Sequence, residues 1–130
     1  MKNLLIAIIP SLIVVCLILT LMPIKSSADL AHYLAGTVYF QNGDKVGSGK
    51  PVYIHYSPTQ YYGYALTNNE SQYCYRFGDR LYVHKVRCTF RLGSTEYRGE
   101  TIIDDTLRTD TWVDITVYPV PPSTNGGSGF

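Results

Sequence analysis

The stretch that decides the fold is Leu81-Tyr82-Val83-His84-Lys85-Val86-Arg87-Cys88-Thr89-Phe90-Arg91-Leu92. Tyr82, Val86, Cys88, Phe90 and Leu92 share one parity, and Lys85, Arg87, Thr89 and Arg91 share the other. A period of two sends alternate side chains to opposite faces of an extended chain, so this is a strand with one face for a core and one for solvent. Gly93-Ser94 then turns the chain.

Working outward, six more runs rich in β-branched and aromatic residues appear, set apart by Gly, Asn, Asp, Pro and Ser. Leu34 to Phe40, Pro51 to Tyr56, Tyr62 to Thr67 and Gln72 to Phe77 precede the deciding strand; Thr95 to Ile103 and Trp112 to Tyr118 follow it. Residues from Asp104 to Asp110 read as a polar connection with room for a helical turn. No helical period survives beyond residue 30, and there is no internal repeat. Short strands at regular spacing, seven runs in all, predict an all-β sandwich.

The ends differ from this middle. No charged residue occurs from Leu4 to Ile24, with Lys2 before and Lys25 after, and Ser26-Ser27-Ala28 supplies the small residues of a cleavage site. Residues 1–28 therefore read as a secretory signal peptide or an N-terminal membrane anchor, and both readings stand. Contact with a membrane is expected only through residues 4–24, if they are retained. Val15 before Cys16 argues against lipid attachment. The domain proper is expected over 29–118, secreted or displayed at the cell surface. The Pro-Val-Pro-Pro and Gly-Gly-Ser-Gly segments make 119–130 a flexible tail.

The 130 residues suffice for one domain. Lys+Arg number 11 and Asp+Glu 10, a net charge of +1, which excludes the basic footprint of a nucleic-acid binder. Five basic residues between Arg76 and Arg91 oppose an acidic series from Glu96 to Asp114, and cross-strand pairing is the expected use of both. Calcium at Asp104, Asp105 and Asp110 is the weaker reading, since no calcium-loop spacing is present. His32, His55 and His84 lack metal-ligand spacing, and no zinc or hydrolase signature occurs. No metal, cofactor or catalysis is expected.

Several stretches in order resemble the carboxypeptidase regulatory-like, or transthyretin-like (prealbumin-like), β-sandwich domain. They are Gly36-Thr37-Val38, Pro51-Val52-Tyr53-Ile54, Ala65-Leu66-Thr67-Asn68, Tyr73-Cys74-Tyr75, Tyr82-Val83-His84 and Val113-Asp114-Ile115, within about residues 35–118. Ser71-Gln72 stands where that family usually has glycine before the aromatic residue. The resemblance implies a Greek-key β-sandwich of about seven strands, a non-enzymatic accessory module of exported proteins. One enzymatic branch ends in Tyr-Arg-Gly-Ser; here Tyr97-Arg98-Gly99-Glu100 lies inside the sixth run, so that activity is not expected.

Cys74 and Cys88 are the cysteines of the exported part, where a disulfide persists. Their parities disagree, so the bond needs a bulge; two separate thiols are the other outcome. Asn69-Glu70-Ser71 fits the glycosylation sequon at a turn. Eight of the 12 tyrosines lie between Tyr53 and Tyr82, and Tyr61, Tyr62 and Tyr64 crowd one bend. A large ring with a polar tip suits contact surfaces. These three are the candidate binding residues, toward a protein or glycan partner. The alternative is a structural filament subunit that self-associates by strand exchange, with Asp29 to Leu34 or the tail as the donated strand.

Overall fold

The computed structural model describes residues 31–122. Residues 1–28, Cys16 and the cleavage site among them, most of the tail, and Asp29 of the candidate donor strand lie outside the described residues. The described chain is all-β: β1 His32–Phe40, β2 Pro51–His55, β3 Tyr61–Leu66, β4 Gln72–Phe77, β5 Leu81–Leu92, β6 Thr95–Leu107, β7 Thr111–Trp112 and β8 Ile115–Val120. Among these residues no helix is long and apolar enough to cross a membrane.

The strands form one path, β3-β2-β5-β6-β8-β1-β4, with β7 beside β1. The path curls until its terminal strands, β3 and β4, come alongside each other without pairing, so the sheet is nearly closed into a barrel. Leu34, Val38, Val52, Ile54, Tyr73, Val83, Val86, Cys88, Ile115 and Val117 are almost fully buried inside it. The β5–β6 hairpin is closed by two residues, since Leu92 pairs with Thr95 and Gly93 takes φ 63°. A two-residue hairpin loop that matches the strand twist needs a positive φ, which glycine adopts without strain.

Four expectations change. First, β6 continues through the expected connection to Leu107. A bulge opposite His84 permits this: the register slips between Val83 and Lys85, and Asp104 absorbs the extra residue at φ 50°. The same slip reverses parity at the start of β5, so Val83 is buried and Tyr82 is exposed. Second, the last expected strand is broken at Val113-Asp114 into β7 and β8.

Third, the tail does not begin at Pro119. Tyr97 pairs with Pro119 and Glu96 with Val120, and β1, whose last pairing is Phe40 with Val117, asks no N–H of the proline. Fourth, the Cys74–Cys88 disulfide is not formed. Cys88 is a free thiol at 0% exposure, facing inward between Val52 and Gly99. Cys74 pairs with Ala35 on β4 and shares the parity of Gln72 and Arg76, and no bulge redirects it. Burial pushes the Cys88 thiol up to about 12, which keeps it protonated and unreactive at neutral pH.

Three stretches that carried the family resemblance meet in space. The kink between β7 and β8 turns the Val113 carbonyl toward β1, where Gly36 leaves room for it. The Tyr73 hydroxyl donates to that carbonyl at 2.6 Å, and the Asp114 carboxylate accepts the Thr37 N–H at 2.9 Å. Ser71 takes φ 65°. Its Oγ accepts the Gly47 N–H at 2.6 Å, a bond that glycine could not make.

Candidate functional site

Inward parity on β2 and β5 belongs to Val52, Ile54, Val86 and Cys88, so Tyr53, His55, Lys85 and Arg87 face outward. The pairing continues this outer face across four strands. One row runs Tyr64, Tyr53, Arg87, Glu100, and the next runs Tyr61, His55, Lys85, Ile102. A register shift between Ile54 and His55 brings Tyr61 onto the same face as Tyr64. Tyr61 and Tyr64 then flank Tyr53, with ring centroids 4.8 Å and 5.6 Å from it, at exposures of 46% and 57%. The result is an open aromatic surface on the terminal strand of the sheet.

Arg87, on β5, lies beside it next to Tyr53. Its guanidinium lies 5.2 Å from the Tyr53 ring centroid, within cation–π range. Its Nε donates to His55 Nε2 at 3.3 Å, which leaves His55 Nδ1 to donate to the Ser57 carbonyl at 3.2 Å. The His55 ring is covered by Tyr61, 5.5 Å away, and is 2% exposed. Burial first, then the Arg87 and Lys85 charges, holds His55 below its ordinary 6.5. The neutral ring is the form that can accept from Arg87. Glu100, opposite Arg87 in register, instead pairs with Lys85 at 2.9 Å. Among the described residues no carboxylate forms an ion pair with Arg87.

This arrangement makes stability depend on pH. The unfolded chain takes up the His55 proton near 6.5, whereas the folded chain resists it. The contribution is complete above that value and is lost as pH falls through the lower folded value. The unfolding midpoint of the wild type therefore drops more steeply between about pH 7 and pH 5 than that of His55→Gln. Thermal melts of both across that range read the difference.

Tyr62 does not join the patch. Its ring packs on Tyr56, with centroids 4.9 Å apart, and its hydroxyl donates to the Tyr82 carbonyl at 2.7 Å. Burial, then Tyr56, raises its pKa. Next to it Tyr82 donates to Asp104, and His84 Nδ1 lies 3.4 Å from the same carboxylate; the Tyr82 bond first, then His84, lowers the Asp104 pKa. The other acids of the series are separately engaged. Asp110 accepts the Tyr33 N–H, and Asp105 accepts the Thr106 N–H. No three His, Cys, Asp or Glu among the described residues gather as a metal site. Of the opposed basic and acidic stretches, two pairs form across strands, Lys85 with Glu100 at 2.9 Å and Arg91 with Glu96 at 3.9 Å, while Glu96 is held more closely by Arg98 of its own strand at 2.9 Å.

Asn69 is exposed at the tip of the turn that Asn68 closes, where the Asn68 Oδ1 accepts the N–H groups of Glu70 and Gln72. From sequence His55 is weighed only as a metal ligand, and Tyr53 and Arg87 do not stand out. Their outward parity was readable, but the pairing of β2 with β5, which joins them, is not a local property. No protein-family profile, curated protein or solved structure matches this chain.

Proposed function

We infer that the chain is an exported, non-enzymatic recognition module at the cell surface or outside the cell, which binds protein or glycan through the outer face of β2, β3 and β5. On this reading the nearly closed sheet is a flattened Greek-key sandwich of the transthyretin-like kind. The meeting of Gly36, Tyr73 and Val113-Asp114 supports that resemblance.

The observation that carries the function is the exposure of Tyr61 and Tyr64 on either side of Tyr53. Aromatic residues left open on a rigid sheet present large apolar area with little conformational freedom to lose, the usual make-up of a binding hot spot.

The test is binding of the full-length chain, purified in detergent, to an array of glycans and to intact cell envelopes. Tyr61→Ala combined with Tyr64→Ala lowers binding by about a hundredfold, the scale of two hot-spot residues. Tyr62→Ala leaves it within about threefold, because that ring belongs to the Tyr56–Tyr82 cluster. Unchanged binding in the double variant, with an unchanged melt, refutes the reading.

A second reading, a filament subunit, draws on the terminal strands β3 and β4, which lie alongside each other unpaired. Open strand edges accept strands from neighbours. A strictly monomeric full-length chain by light scattering counts against it.

A further inference from the structure

Arg87 is the feature of the outer face that aromatic contact alone does not explain. Its Nε is committed to His55, and its plane is held near the Tyr53 ring. Among the described residues its two terminal nitrogens have neither a hydrogen-bond nor an ion-pair partner, and the residue is half-buried. The carboxylate best placed by register to take them, Glu100, is held by Lys85 at 2.9 Å. Lys85 and Glu100 cancel each other and His55 is neutral, so this part of the face carries one uncompensated positive charge beside the Tyr53 ring.

A guanidinium fork takes a carboxylate through two parallel hydrogen bonds, with a geometric selectivity that an ammonium lacks. The surface is open, not a cleft, and its two rows cross four strands. An extended ligand that alternates apolar ring faces with carboxylates meets both features. Such a ligand lays a sugar ring on Tyr64 or Tyr61 and its carboxylate on Arg87.

We propose that the outer face of β2, β3 and β5 binds an acidic polysaccharide of uronate type, with Arg87 as the carboxylate-reading residue and Tyr61 and Tyr64 as the stacking platform. This rests on the reading of that face as the recognition surface, and it names the ligand class.

The test uses two probes with the same sugar backbone, a trimer of galacturonic acid and the same trimer with every carboxyl methyl-esterified, which removes each charge and adds a methyl group. Each is titrated calorimetrically into the full-length chain in detergent. The acid form binds at least about tenfold more tightly than the ester, and the preference shrinks with added salt. Arg87→Gln reduces the preference to near unity, while Tyr64→Ala weakens both forms about tenfold. The acid–ester ratio in the wild type does not depend on how any variant folds.

Equal binding of acid and ester, or a preference that survives Arg87→Gln, overturns the proposal. If Tyr64→Ala still weakens both forms in that case, the recognition surface stands and only its ligand class is wrong. Absence of binding by the acid trimer, or tighter binding of a glutamate-rich peptide that displaces it, overturns the polysaccharide assignment. If binding to the glycan array also survives loss of Tyr61 and Tyr64, the underlying reading fails with it.

Discussion

Gly36→Ala and Gly99→Ala each destabilise the domain by more than about 3 kcal/mol, above the usual cost of overpacking a core. A Cβ on Gly36 would lie 1.7 Å from the Val113 carbonyl oxygen, and one on Gly99 would lie 1.9 Å from the Thr116 carbonyl oxygen. Both obstacles are backbone, so no side-chain rotation relieves them. At Gly36 the strand and the β7–β8 kink must separate, which also disturbs the Tyr73 and Asp114 hydrogen bonds. At Gly99 the β6–β8 pairing must separate. A domain of this size is stable by about 5–10 kcal/mol, so either change removes a large share. Gly63→Ala is the control. Its nearest neighbour is the Tyr75 ring at 4.0 Å, and the expected change is under about 0.5 kcal/mol. Urea denaturation of the three variants reads the contrast; a Gly36→Ala protein as stable as Gly63→Ala would contradict the packing described.

The second large effect lies on the other side of the same kink. Tyr73 is 1% exposed, and its hydroxyl is the partner of the Val113 carbonyl. Burial, then the Asp114 charge, holds its pKa well above the ordinary 10.0, so it remains a donor at neutral pH. Tyr73→Phe keeps the ring and removes the donor. The carbonyl, turned away from strand pairing, is left buried without that bond, at a cost of about 1–3 kcal/mol. Tyr73→Ala adds a cavity at the centre of the barrel and costs about 3–5 kcal/mol. Tyr82→Phe also deletes a hydroxyl donor, the one to Asp104, but at an exposed site where water replaces it, and its melt stays close to that of the wild type. Equal effects at positions 73 and 82 would contradict the description of the kink.

How far these features could be read beforehand depended on whether they were local. The alternation from Lys85 to Leu92 placed Val86 and Cys88 inside and Arg87 outside, because parity along one strand needs no partner. It misassigned Tyr82, because the bulge at Asp104 is imposed from β6. The division of Tyr61 from Tyr62 had the same origin, since the slip opposite His55 belongs to the pairing of β2 with β3. Arg87 looked like one basic residue among five. What sets it apart is that Lys85 takes Glu100, a choice between two neighbours that only the assembled sheet makes. The disagreement in parity between Cys74 and Cys88, by contrast, was visible in sequence and carried through to two cysteines that do not join.

If the chain is a recognition module, the outer face of β2, β3 and β5 is occupied where it works. Hydroxyl-radical footprinting of the full-length chain, on its own cells and after purification in detergent, tests it most directly. Tyr61 and Tyr64 are expected to be oxidised readily in the purified chain and protected on the cell, while Tyr118 and Trp112, exposed elsewhere on the sheet, are oxidised alike in both. Equal oxidation of Tyr61 and Tyr64 in the two settings would contradict it.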